Sequence, residues 1–165
     1  LVGNDLRLLA QECQKLALYI GEKGTVTADS IAQLIPRTLE GNVFQLTEKL
    51  ATRNFQDVWQ IWEDLLTQKE EPIRILALII RQFRLLYQCK LLASRGMGAS
   101  EIAKTISAHP YPVKLALGHS DAFSLAQLKA CLQLVITTDQ EMKAGRVDKV
   151  QAVEQIFIQL PRITA

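Results

Sequence analysis

Residues 71–96 read EPIRILALIIRQFRLLYQCKLLASRG, and no other stretch of the chain restricts its fold as much. Apolar residues recur every three or four positions, which is the helical period. Pro72 suits the first turn of a helix and Gly96 its stop. Such a helix runs about 24 residues, or about 36 Å. Arg74, Arg81, Arg84, Gln88 and Arg95 fall on one narrow stripe, and most of the remaining circumference is apolar. Ile73, Leu76, Ala77, Ile80, Phe83, Tyr87 and Leu91 form one seam; Ile75, Leu78, Ile79, Leu86, Cys89 and Leu92 form a second that faces elsewhere. A helix apolar over so much of its surface must be covered from more than one side. Either it is the central helix of a bundle, which is the default, or one seam faces another chain.

The rest of the chain is helical in pattern too, with almost no strand-like alternation, so the fold class is all-α. A first helix, Asp5 to Ile20, places Leu6, Leu9, Cys13, Leu16, Ala17 and Ile20 on one face, with Asn4 as its cap and Gly21 beyond its end. A short helix follows Thr27 and stops before Pro36. The RTLEG segment reads as a connector, with Asn42 capping a third helix from Val43 to Thr52, and the domain boundary is placed here. Phe55 to Gln68 buries Phe55, Val58, Trp59, Trp62, Leu65 and Leu66, so both tryptophans are core residues. Two amphipathic helices, Ser124 to Ala144 and Val147 to Leu160, complete the chain, and Pro161 ends the pattern.

Composition narrows the function. The 165 residues are 48% hydrophobic and 22% charged, enough for one domain or one plus a fragment of another. A formal net charge of +2 gives no overall pull toward nucleic acid, so any such contact needs a local cluster. Cys13, Cys89 and Cys131 lie far apart among apolar neighbours, which fits reduced, buried thiols in a cytoplasmic protein. The longest apolar run, Ile75 to Ile80, is far short of the roughly 20 residues that cross a bilayer, so no membrane partner is expected. The chain does not begin with Met, which suggests a piece of a longer protein.

Motifs of catalysis are missing. No GxxxxGK[ST], GxGxxG, CxxC, HExxH or GxSxG occurs, and the carboxylates sit singly on polar faces; no enzyme, cofactor or metal is implied. The segment MGASEIAKTISAHPYPVKLALGHS has helix-turn-helix spacing through Ile102, Ala103, Ile106 and Val113. A helical DNA-binding regulator using residues 100–118 is therefore the alternative function. Its would-be recognition helix, Pro110 to Gly118, offers only Lys114 and Tyr111 to base edges, which favours a packing role. His109 reads as a cap or turn residue before Pro110, and His119 has no Cys, Asp or Glu at ligand spacing.

Several segments together carry a family resemblance: LVGNDLRLLAQECQKLALYI, TADSIAQLIP, EGNVFQLTEKL, EEPIRILALIIRQFRLLYQCKLL, EIAKTISAHPYPVKLAL and LKACLQLVITTDQEMKAG. In order and spacing they resemble the delta subunit of the bacterial DNA polymerase III clamp loader, over essentially the whole chain. The resemblance implies a partial AAA+ lid domain at 1–40 and a helical collar domain at 41–165, acting as a non-catalytic scaffold. Implied partners are the other loader subunits, of the gamma/tau and delta prime types, which the collar joins in a ring. Primer-template DNA would be met only within the full complex. The sliding clamp would be met through the N-terminal AAA+ domain, upstream of Leu1. Arg7, in GNDLR, falls near the nucleotide-sensing arginine of hydrolytic AAA+ relatives and here reads as an ion-pair residue.

Two groups of site residues follow. If the second apolar seam of the long helix meets a neighbouring subunit, Leu78 and Leu85 with Arg74, Arg81 and Arg84 are the interface residues. The tip KAGRVDK gathers Lys143, Arg146 and Lys149 around Gly145 with only Asp148 to offset them. It is either a solvated turn, with Lys143 complementing a helix C-terminus, or a phosphate contact at the primer-template junction.

Overall fold

The computed structural model describes residues 6–21, 24–35 and 37–164, which contain nine helices and no strand. In order they are α1 (Leu6–Ile20), α2 (Ala28–Leu34), α3 (Leu39–Ala51), α4 (Phe55–Thr67), α5 (Pro72–Ala93), α6 (Ala99–Thr105), α7 (Pro110–Ser120), α8 (Leu125–Lys143) and α9 (Lys149–Thr164). The chain divides into two compact units, Leu1–Asn42 and Val43–Ala165.

In the first unit, Thr27 opens α2 with a reciprocal capping box. Its hydroxyl accepts from the Ser30 N–H at 3.2 Å, and its own N–H donates to the Ser30 hydroxyl at 3.0 Å. Gly21, at φ +71°, ends α1. The expected Asn4 cap and the Pro36 stop lie outside the described residues; α2 itself closes on Ile35. The expected buried face of α1 does not form as such. Leu16 is buried, but Leu6 stays 78% exposed and Leu9 44%, and Cys13 is exposed rather than buried. The partner α1 meets in this unit, α2, is seven residues long and too short to cover a face of fifteen.

The connector reading of RTLEG is also corrected. α3 begins at Leu39, four residues before Val43, and Asn42 lies inside it. Thr38 takes the capping role instead: its hydroxyl accepts from the Gly41 N–H at 3.2 Å and its carbonyl from the Asn42 N–H at 2.9 Å. Glu40 adds a favourable acidic residue in the first turn.

The second unit is built around α5. α8 and α7 cover it most extensively, with α9 and α6 completing the enclosure, so the long helix is the centre of a bundle. Its fully buried side chains are Pro72, Ile75, Leu76, Ile79, Phe83, Leu86 and Cys89. These come from both expected seams. The second seam is therefore internal through Ile75, Ile79, Leu86 and Cys89, and does not as a whole face outward. Burial at 100° per residue selects one arc of the helix, and two parallel seams are a finer division than packing makes.

Trp62 is buried and Trp59 half-buried, both edge-on to Phe157 of α9, with ring centroids 5.7 and 5.8 Å away. The indole N–H of Trp62 donates to Glu154 Oε1 at 3.2 Å, satisfying a polar atom the core would otherwise strand. α9 does not stop at Leu160; Pro161 lies within it and the helix reaches Thr164. Proline forfeits one bond, from position 161 to the Phe157 carbonyl, and this falls in the last turn. Thr164 is buried, its hydroxyl donates to the Leu160 carbonyl at 3.0 Å, and its carbonyl accepts from Arg53, so tertiary contacts hold the turn.

Candidate functional site

The outward side of α5 collects the five expected interface residues. Arg74, Arg81 and Arg84 are exposed, and Leu78 and Leu85 are half-buried along the edge of the same stripe. Helical spacing accounts for this: positions 74, 78, 81 and 85 lie on one side of the helix, opposite the arc that α7, α8 and α9 cover. Arg74 Nη1 lies 3.4 Å from Glu70 Oε2, and Lys90 Nζ lies 3.3 Å from Asp121 Oδ1. Arg81 and Arg84 make no ion pair among the described residues. The helix itself contains no Asp or Glu to offset them.

The tip between α8 and α9 does bring Lys143, Arg146 and Lys149 together, all exposed. Gly145 at φ +68° ends α8, and the Arg146 N–H closes the cap on the Glu141 carbonyl at 3.1 Å. Asp148 caps α9, its Oδ1 accepting from the N–H groups of Val150 and Gln151, both at 3.0 Å. Two further acids enter. Lys143 Nζ lies 2.6 Å from Asp139 Oδ2, and Arg146 Nη1 lies 2.8 Å from Glu141 Oε1. Asp148 is thus not the sole offset: three acids face three bases. The sequence signal for one pair was the four-residue spacing of Asp139 and Lys143. Exposed pairs of this kind contribute about 0–1 kcal/mol each, so either cation exchanges readily.

α6 and α7 form the helix pair expected at 100–118, and their inner residues Ile102, Ala103, Val113 and Ala116 are buried. His109 caps α7, its Nδ1 accepting from the Tyr111 N–H at 3.2 Å. His119 is half-buried, with its ring 5.3 Å from that of Phe44. Arg7 is exposed in the first turn of α1. Among the described residues no three His, Cys, Asp or Glu side chains gather as a metal site, and no helix is long and apolar enough to cross a membrane. Burial raises the thiol pKa of Cys89 and pushes that of Cys131 up to about 12, away from reactivity.

The family described as DNA polymerase III delta subunit, C-terminal domain, matches residues 40–160. This chain belongs to that family. Its similarity to individual delta proteins extends further. It is 41% identical over 160 residues to the DNA polymerase III subunit delta of Bacillus subtilis (strain 168), covering 97% of this chain and 46% of that protein. The solved structure of the Bacillus subtilis DNA clamp loader delta protein superposes with a TM-score of 0.84 at 41% identity, covering 94% of this chain and 46% of that one. The chain therefore spans about half the length of the delta proteins it matches.

Proposed function

We propose that the chain is the lid and collar portion of a clamp-loader delta subunit and serves as a non-catalytic scaffold that joins the other loader subunits. The observation that carries this is the 41% identity to a delta subunit sustained over 97% of the chain. In this reading residues 1–40 are part of an AAA+ lid and 41–165 are the collar, in a cytoplasmic replication protein. The outward side of α5, with Leu78, Leu85, Arg74, Arg81 and Arg84, meets a neighbouring subunit of the gamma/tau or delta prime type. The sliding clamp is engaged by the other half of the full-length protein. The sequence carries no phosphate-cradling loop to hold a triphosphate and its Mg²⁺, so ATP turnover belongs to other subunits. The packed interior of α6 and α7 supports a structural role for that pair over the regulator alternative.

Mixing the protein with the other loader subunits and measuring complex mass tests the reading. Entry into a stoichiometric complex supports it, and a persistent free species in every mixture overturns it. Micromolar ATP binding in calorimetry would overturn the non-catalytic part. The tip is proposed to meet primer-template phosphates within the full complex, with exchange of the Asp139 and Glu141 pairs for phosphate. Replacing Lys143, Arg146 and Lys149 with Ala in the assembled loader should lower the slope of log affinity against log salt by about 0.9 for each duplex phosphate no longer neutralised. An unchanged slope returns the tip to a solvated turn.

A further inference from the structure

We infer that the partner seated on the outward side of α5 is a protein helix presenting carboxylates. The inference rests on the proposal that this side is a subunit interface, and it specifies the chemistry of what binds there. Two observations carry it. First, α5 holds Arg74, Arg81, Arg84 and Lys90 but no acid in its 22 residues, and within the described residues neither Arg81 nor Arg84 has a carboxylate partner. Arg74 and Lys90, toward the two ends of the helix, are matched to Glu70 and Asp121, which leaves Arg81 and Arg84 between them for a partner in trans.

Second, the cations are arginines, whose planar fork matches carboxylate or phosphate in a bidentate pair. Phosphate is disfavoured by what lies beside them. Leu78 and Leu85 are half-buried at the edge of the stripe, seven residues or about 10.5 Å apart. A helix crossing at a shallow angle covers residues at that period, whereas a sugar-phosphate strand would bury nothing against them. Both features call for the same counterpart: apolar residues for the leucines, flanked by Asp or Glu every third or fourth position for Arg81 and Arg84.

The experiment uses the full-length delta subunit, the remaining loader subunits and a primer-template duplex, with assembly affinity measured from low to high salt. Arg81→Glu with Arg84→Glu should weaken assembly at least about tenfold at low salt and flatten its salt dependence. Arg81→Gln with Arg84→Gln should do the same more mildly. Both pairs should keep the thermal midpoint, since the side chains are exposed. Leu78→Glu with Leu85→Glu tests the interface itself. If the leucine pair disrupts assembly while both arginine pairs leave affinity and salt slope unchanged, the acidic partner is wrong and the interface stands. If no pair changes assembly, interface and acidic partner fall together. Normal assembly with weakened duplex binding by the arginine variants would make the counterpart phosphate and overturn the inference.

Discussion

Lys69 and Ser107 hold the backbone at φ +59° and +52°, in the left-handed region, where α4 and α6 end. Each is followed by a closing bond: Glu70 N–H to the Leu65 carbonyl at 3.1 Å, and Ala108 N–H to the Ala103 carbonyl at 2.9 Å. Gly96 and Gly145 do the same for α5 and α8 without a Cβ in the way. The strain at a side-chain-bearing residue there is about 1–2 kcal/mol, partly offset by the extra unfolded-state entropy of glycine. Lys69→Gly and Ser107→Gly should therefore each stabilise the fold by about 0.5–1 kcal/mol in denaturant unfolding. These caps are illegible in the sequence because neither residue type signals a left-handed turn, whereas the glycine stops announce themselves. The thiols make a second test at this scale. Cys13 should react with an aromatic disulfide reagent in the native protein, with Cys89 and Cys131 joining only after denaturation. Burial raises the Cys131 pKa from 9.0 to about 12, so the thiol contributes its full stability below pH 9. From there to about pH 12 the unfolded chain ionises while the folded one does not. Stability should fall over that window by up to about 1.4 kcal/mol per pH unit from this group, read from unfolding at stepped pH.

For α5 the sequence is informative up to a point set by geometry. That the helix exists, where it starts and stops, and that it must be enclosed all follow from its period and its proline and glycine. Its apolar surface cannot be divided between core and exterior from the period alone, because every residue of both seams is chemically suitable for either. Neighbours decide the matter: α7, α8 and α9 claim one arc, and Leu78 and Leu85 are left on its edge. Phe83, 1% exposed, lies within that arc. Phe83→Ala should cost about 3–5 kcal/mol of unfolding free energy, against about 1 kcal/mol for Leu78→Glu or Leu85→Glu, as measured by thermal melts. Equal losses would place all three in the core. The start of α3 and the end of α9 depart from expectation for a related reason. Thr38 and Asn42 are both good caps, and Pro161 ordinarily breaks a helix; a buried Thr164 and its bond from Arg53 outweigh that tendency.

At the scale of the molecule the two units differ in how much they bury. Among the described residues before Val43, the buried apolar side chains are Leu16, Ile35 and Leu39, while Leu6, Leu18, Tyr19 and Val26 are more than half exposed. The second unit holds a continuous core through α5 and its neighbours. A chain starting at Arg37, which keeps the Thr38 cap, should retain the main thermal transition of the 165-residue protein within a few degrees; a large drop would show that the first unit supports the second. The amphipathic pattern of α1 gives no warning of its exposure, since a periodic face announces that it wants cover and not where the cover comes from. The tryptophan cluster, in turn, has a bearing on how the protein is made. Trp62 donates its hydrogen bond to a glutamate 92 residues later in the chain, and both indoles lean on Phe157. A growing polypeptide emerging from the ribosome can form α4 early, but must carry its tryptophans uncovered until α9 has been translated. A message with a premature stop before Lys149 would release a chain whose indoles have no ring to meet, a sticky product for chaperones and proteases to remove.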